Sequence, residues 1–314
     1  MRIPKLKTKD LITVSDLDRG EIMDLFHLTA SLKKEAARGR HPDFLQKKSL
    51  AMIFEKSSTR TRVSFETGVT QLGGHALFLD GNDIQIKRGE TIVDTAKVLS
   101  RYVDGIMIRT FSHDNIVELA KSATVPVING LSDEHHPCQA LADFFTIYER
   151  EGSFKGIQLA YIGDGNNVAN SLIQCAAILG VNIFIACPKQ YEPDMYVVDD
   201  ARKAAARTGS EVIITRDPEA AVKNAHYIYT DVWISMGEEK KAAVKKKALA
   251  KYKITKELLS KGRADSKVMH CLPAHREEEI EGDVLDSGRS IVFDEAENRL
   301  HVQKAVMCAL MSRR

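Results

Sequence analysis

Little in this 314-residue chain runs to an extreme, and each shortage removes a class of function. No stretch reaches the roughly 18–20 uninterrupted apolar residues that a membrane-spanning helix needs. Residues Met1–Asp10 lack the apolar core of a signal peptide. A cytoplasmic protein with no membrane partner is therefore expected. Net charge is scarce as well: 45 Lys and Arg stand against 43 Asp and Glu, a formal +2, so no basic field points to nucleic acid. The five cysteines, at 138, 175, 187, 271 and 308, form no CxxC pair, which speaks against a zinc ribbon or a thioredoxin-like site. Cys175 and Cys308 fall in apolar helical patterns as small core residues, whereas Cys138 and Cys271 fall in polar, His-containing segments. Internal repeats and low-complexity segments are missing.

What is present is alternation. Strand-like segments at 49–54, 75–79, 105–109 and 125–129 are separated by helical patterns; Ile92, Ala96, Leu99 and Val103 mark one helical face. A second series follows at 157–162, 182–186, 212–215, 227–230 and 268–270, with helices such as Val168–Leu179 and Asp194–Thr208 between strands. Such alternation predicts an α/β protein with parallel sheets covered on both faces. The length allows two domains, each with its own core. We expect two doubly wound parallel-sheet domains, 1–150 and 151–294, with an active-site cleft between them. A terminal helix of about 295–314 is expected to pack back on the first domain. The lysine-rich piece from Lys240 to Lys247 reads as a solvated helical face.

Ligands of open α/β sheets gather at the carboxyl ends of strands, and the chemistry-bearing residues cluster there. Phe54 is followed by Ser58-Thr59-Arg60-Thr61-Arg62, and Val63, Val69 and Leu72 then recur at roughly helical spacing. Hydroxyls and guanidiniums thus stand at a helix N-terminus, where unpaired N–H groups and the helix dipole favour phosphate. The plainer alternative is an N-cap with solvent-facing arginines. Arg109 ends a strand and is either half of a two-arginine clamp with Arg60 or a partner in a salt bridge. His136 and Gln139, three apart beside Pro137, offer neutral hydrogen bonds to a carbonyl or amide. A metal site joining His135 to the distant Cys271 and His275 lacks any recognised ligand spacing. Gly163-Asp164-Gly165 after a strand resembles a dinucleotide fingerprint, but Val168 replaces the third glycine and Ala186-Cys187-Pro188 stands where an acid should be. A tight turn presenting Asn167 to a ligand carboxylate is more economical. Asp231 can pair with an ammonium, and Ser235 near Gly237 can meet a carboxylate, together an α-amino-acid site. Cys271 is a nucleophile, a hydrogen-bonding group or a buried spacer.

These segments together resemble the aspartate/ornithine carbamoyltransferase superfamily, and within it the ornithine branch. The matching pieces are Ser58-Thr59-Arg60-Thr61, His136-Pro137-Cys138-Gln139, Asp231 to Gly237, His270-Cys271-Leu272-Pro273 and Phe293 to Arg299. They span most of the chain in the family's order. The resemblance implies transfer of a carbamoyl group from carbamoyl phosphate to the δ-amine of L-ornithine, giving L-citrulline and phosphate, in arginine biosynthesis. It implies that Ser58, Thr59, Arg60, Thr61 and Arg109 hold phosphate, and that Thr61, Arg109 and His136 polarise the carbonyl. Gln139 and the main chain at Cys271 and Leu272 would hold the carbamoyl nitrogen, with Arg299 completing the pocket. Asn167, Asp231, Ser235 and Met236 would bind ornithine, and Cys271 with Asp231 would orient its δ-amine. Gln85 matches a carbamoyl-phosphate-binding loop that reaches a neighbouring subunit's active site, so a homotrimer or a multiple of trimers is implied. No metal, cofactor or covalent intermediate is required. Other acceptors (aspartate, lysine, putrescine, an acylated ornithine), a nicotinamide dehydrogenase and a non-catalytic relative are the rival readings.

Overall fold

The computed structural model describes residues 1–81, 84 and 89–312. Gln85 therefore lies outside the described residues. The chain divides into two compact units, one of Met1–Phe145 with Glu297–Arg314 and one of Thr146–Ala296.

In the first unit the order is α1 (Arg19–Ala36), β1 (Ser49–Phe54), α2 (Thr59–Gln71), β2 (His75–Asp80), α3 (Ile92–Leu99), β3 (Gly105–Arg109), α4 (His113–Ser122), β4 (Val127–Leu131) and the first part of α5 (Pro137–Glu151). The strands form a parallel sheet in the order β2-β1-β3-β4. β1 and β3 are apolar almost throughout because both faces are covered. Ala51, Ile53, Ile106 and Ile108 pack with Ala96, Ile116 and Leu119 of α3 and α4. β4 begins two residues later than its sequence pattern predicts; Pro126, which has no N–H to give, stands just before it. On α2 the expected inward Val63 is exposed, and Phe65 is buried in its place beside Val69 and Leu72.

The second unit carries β5 (Gln158–Ile162), α6 (Asn167–Leu179), β6 (Asn182–Ala186), α7 (Met195–Thr208), β7 (Val212–Thr215), α8 (Pro218–Val222), β8 (Tyr227–Thr230), α9 (Ala242–Leu249), α10 (Lys256–Lys261), β9 (Lys267–His270), α11 (Gly282–Leu285) and the start of α12 (Val292–Met311). Its parallel sheet runs β7-β6-β5-β8-β9. From Glu297 onward α12 clusters with the first unit, and there Met307 and Lys304 press against Gly68 of α2, where an added Cβ would lie 3.0 Å from Met307 Cε. Lys304, wholly buried, donates to Gln71 Oε1 at 2.9 Å.

Each sheet reverses its winding once. In the first unit the reversal lies between β1 and β3, and in the second between β5 and β8. Crevices outside the carboxyl ends of such strand pairs are where open α/β sheets bind ligands. Ser58–Thr61 and Arg109 stand at the first, and residues 163–167 and Asp231 at the second. Among the described residues no helix is long and apolar enough to cross a membrane.

Candidate active site

At the first crevice Ser58 caps α2. Its Oγ accepts from Thr61 N at 3.2 Å and donates to Thr61 Oγ1 at 3.0 Å. The buried Thr61 hydroxyl also accepts from Arg299 Nη2 at 2.7 Å, and Arg109 Nη1 reaches it at 3.5 Å. Arg299 Nη1 donates to Gln139 Oε1 at 3.1 Å, and Gln139 Nε2 donates to Asp143 Oδ1 at 2.7 Å. One chain of contacts between buried polar side chains thus ties α2, β3, α5 and α12 together. Arg60 is half-buried, with its Nε sealed from water and without a hydrogen-bond partner. Thr59 is exposed and Ser58 half-buried.

His136 lies buried at the start of α5. Burial, then the charges of Arg299, Arg109 and Arg60, hold its imidazole well below the usual histidine range. It is therefore a neutral hydrogen-bonding group among three guanidiniums, an arrangement suited to a carbonyl beside an anion. Its neighbour Cys138 is wholly buried, its thiol pushed up to about 12 by burial. As a nucleophile at neutral pH it is inert.

At the second crevice the centre is Asp231, buried just past β8. Its Oδ1 accepts from Val232 N at 2.8 Å and from Cys271 Sγ at 2.9 Å, and its Oδ2 accepts from Asn166 Nδ2 at 2.8 Å. Asn166 caps α6: its Oδ1 accepts from Val168 N and Ala169 N. The same side chain therefore starts a helix and aims a carboxylate. Cys271, Asp231 and His270 have donor atoms within 4.8 Å of one another, but the His270 ring has structural duties. Its Nδ1 accepts from Leu272 N at 2.9 Å and its Nε2 faces Glu279 Oε1 at 3.3 Å. Leu272 itself takes a left-handed φ of 54°, a conformation costly for a branched side chain and common at ligand sites. Glu295 accepts from His270 N at 3.0 Å and from Tyr229 Oη at 3.3 Å, which pins the end of β9.

The turn after β5 explains its glycines. A Cβ on Gly165 would meet Pro193 N at 2.3 Å and Glu192 C at 2.6 Å. Close approach of the protein's own chain requires this glycine, with no pyrophosphate invoked. Gly163 has φ +139° and faces Thr230 and Trp233. Asn167, the first residue of α6, is half-buried beside it. The loop after Asp231 continues through buried Trp233, half-buried Ser235 and exposed Met236. Ser235 N donates to Glu238 Oε2 at 3.2 Å.

Comparison with known proteins agrees with this layout. Residues 9–149 match the model of the aspartate/ornithine carbamoyltransferase carbamoyl-P binding domain, and residues 155–310 match that of the Asp/Orn binding domain. The chain belongs to the aspartate/ornithine carbamoyltransferase family. Over 310 residues it is 52% identical to the ornithine carbamoyltransferases of Bacillus thuringiensis subsp. konkukian and Bacillus cereus, covering 99% of this chain and 96% of each relative. Among solved structures it resembles ornithine carbamoyltransferase from Pyrococcus furiosus, with a TM-score of 0.96, 49% identity, and 99% and 100% of the two chains covered. The anabolic enzyme from Campylobacter jejuni is similar too, with a TM-score of 0.92 and 40% identity over 98% and 100% of the chains.

Within this carbamoyltransferase scaffold the structure adds residues that sequence reading passed over. Asn166, the neighbour of Asn167, holds Asp231, and its signal was the cap position itself. Asp143 follows Gln139 at i+4 on one helical face, a spacing that marks contact. The largest correction concerns the lysine-rich piece. Lys245 is not solvated: it is buried, with Nζ 2.7 Å from Asp164 Oδ2 and 2.6 Å from Glu238 Oε2. Burial works against its ammonium, but Asp164 and Glu238 outweigh this and raise its pKa. Burial lifts Asp164 to about 6, against the pull of Lys245, so the pair is charged on both sides at neutral pH.

Proposed function

We propose that this protein transfers the carbamoyl group of carbamoyl phosphate to the δ-amine of L-ornithine, releasing L-citrulline and inorganic phosphate. The observation that carries the reading is the grouping of Ser58 and Thr61 at the N-terminus of α2 with Arg109 and Arg299, close to the buried His136 that precedes α5. Carbamoyl phosphate presents the matching groups: a dianionic phosphate beside a neutral carbonyl. In the first unit, Ser58, Thr59, Arg60, Thr61 and Arg109 hold the phosphate. Thr61, Arg109 and His136 polarise the carbonyl oxygen, and Gln139 and Arg299 complete that pocket.

In the second unit, Asn167, Asp231, Ser235 and Met236 hold ornithine. Asp231, fixed by three donors, and Cys271 orient the δ-amine. That amine attacks only as the neutral base, because an ammonium has no lone pair. Charge then grows on the carbonyl oxygen and passes to phosphate as the C–O bond to it breaks, and the attacking nitrogen gives up its surplus proton to the departing phosphate; preorganised guanidiniums and N–H groups stabilise that charge more than they stabilise the ground state. Cys271 acts as a hydrogen-bonding group and forms no bond to carbon.

The resemblance of residues 82–90 to a loop that serves a neighbouring subunit supports a homotrimer or a multiple of trimers; sedimentation of the purified protein tests this. Cytoplasmic residence follows from the same family reading. The deciding assay is citrulline formation from carbamoyl phosphate and ornithine, beside parallel reactions with aspartate, lysine and putrescine. Turnover with ornithine alone supports the acceptor assignment, while turnover with another amine overturns it and keeps the phosphate site.

A further inference from the structure

Apart from Cys271, which follows β9, the acceptor-side groups described above lie on two loops of the second unit: residues 163–167 after β5 and 231–238 after β8. Lys245, from α9, is bonded to both. Its ammonium reaches Asp164 Oδ2 in the first loop at 2.7 Å and Glu238 Oε2 in the second at 2.6 Å. It also lies 5.4 Å from the centre of the Tyr191 ring. The glutamate oxygen that takes this ammonium accepts from Ser235 N as well. Asp164 is held from its other side, since Tyr161 Oη donates to its main-chain carbonyl at 2.7 Å and reaches Asn166 Oδ1 at 3.3 Å. Asn166 in turn aims Asp231. A continuous series of bonds therefore runs from Lys245 to Ser235 in one direction and to Asp231 in the other.

We propose that Lys245 is a positioning residue for the acceptor: it clamps Glu238 to Asp164 and so fixes the Ser235–Met236 main chain against the 163–167 turn. This rests on the assignment of ornithine to these loops. An ammonium suits the task because its three donors can serve two carboxylates on different loops at once. Both charges of the Lys245–Asp164 pair are buried, so the loops gain order that no exposed ion pair supplies.

The chain holds one tryptophan, Trp233, inside the second loop and buried. It reports loop packing without any substrate. Lys245→Met is the direct variant, and Glu238→Gln, on a half-exposed partner, serves if the first does not fold. With the clamp broken, acrylamide quenching of Trp233 should rise at least twofold. KM for ornithine should rise about tenfold, with KM for carbamoyl phosphate unchanged within a factor of two. Unchanged quenching together with an unchanged KM for ornithine in either folded variant overturns the proposal. So does an equal rise in both KM values, or a fall in kcat with both KM values intact. If wild-type protein fails to use ornithine while quenching still rises in the variants, the clamp stands and the acceptor assignment falls.

Discussion

The Cys271 sulfur lies 2.9 Å from Oδ1 of Asp231, donating to a carboxylate that already holds Val232 N and Asn166 Nδ2. The same contact serves a thiol donating to an anion or a nucleophile beside a base, and the covalent adduct that only the second forms separates the two. Cys271→Ala removes one of three donors. A hydrogen bond to a charged group contributes about 1.5–3 kcal/mol, so kcat/KM for ornithine should fall roughly ten- to a hundredfold. Cys271→Ser should recover much of the loss. Mass spectrometry of protein quenched during turnover should show no added carbamoyl mass; finding it on Cys271 would sink the hydrogen-bonding role.

Removing Arg60 is expected to leave the fold in place. It is half-buried, its Nε is sealed off without a partner, and its charge works against protonation of His136. We expect Arg60→Gly to melt within a few degrees of wild type, because glycine near a helix start costs only about 1 kcal/mol. Affinity for carbamoyl phosphate should drop by about two orders of magnitude, in line with a lost charge-assisted bidentate contact. Calorimetric titration that found wild-type affinity would remove Arg60 from the phosphate site.

The strands were legible to within a residue or two because buried parallel strands are unbroken apolar runs, as in Leu50–Phe54. That Ser58 opens a helix beginning at Thr59 was legible because a hydroxyl before a helical pattern is an N-cap signal. Other features were hidden for physical reasons. Lys245 sits in a run of charges that looks like solvent-facing helix, and only its distance to Asp164, 81 positions earlier in the chain, shows that it is buried. Val63 and Phe65 both fit a helical stripe at low resolution, and the packing of α2 chose Phe65. Of two adjacent asparagines, the cap geometry gave Asn166 the hold on Asp231. The signal for Asp143 was present at i+4 from Gln139 but is weak without a ligand to read it against.

Gly165 offers a test of why the Gly-x-Gly turn exists. An added methyl would meet backbone atoms of Glu192 and Pro193 at 2.3–2.6 Å, which cannot swing aside as a flexible side chain can. Gly165→Ala should therefore destabilise by about 1–3 kcal/mol, the usual cost of forced overpacking. Displacing the turn should also raise KM for ornithine, since Asn166 and Asn167 follow directly. Titration of wild type with a nicotinamide dinucleotide should give no saturable binding. Saturable binding, or a Gly165→Ala protein as stable as wild type, would return the turn to a dinucleotide role.

His135 makes stability depend on pH. It is buried beside His113, ring centres 5.0 Å apart. Burial first, and then the His113 charge, lower its pKa from 6.5 to about 4. As pH falls below 6.5 the unfolded chain takes up a proton at this position that the folded chain refuses until near 4. The unfolded state then binds more protons, so its share of stability is fully present above 6.5 and is lost on acidification through that window. A pKa gap of this size corresponds to a loss on the order of 3 kcal/mol by pH 4. His135→Gln should show a shallower fall of the urea midpoint between pH 7 and pH 4.5 than wild type. His113, His136 and His226, which burial lowers in the same direction, add to the remaining slope, and Asp164, raised to about 6 by burial, works against it. Parallel pH profiles for variant and wild type would mean that His135 accepts its proton in the folded protein as readily as in the unfolded chain.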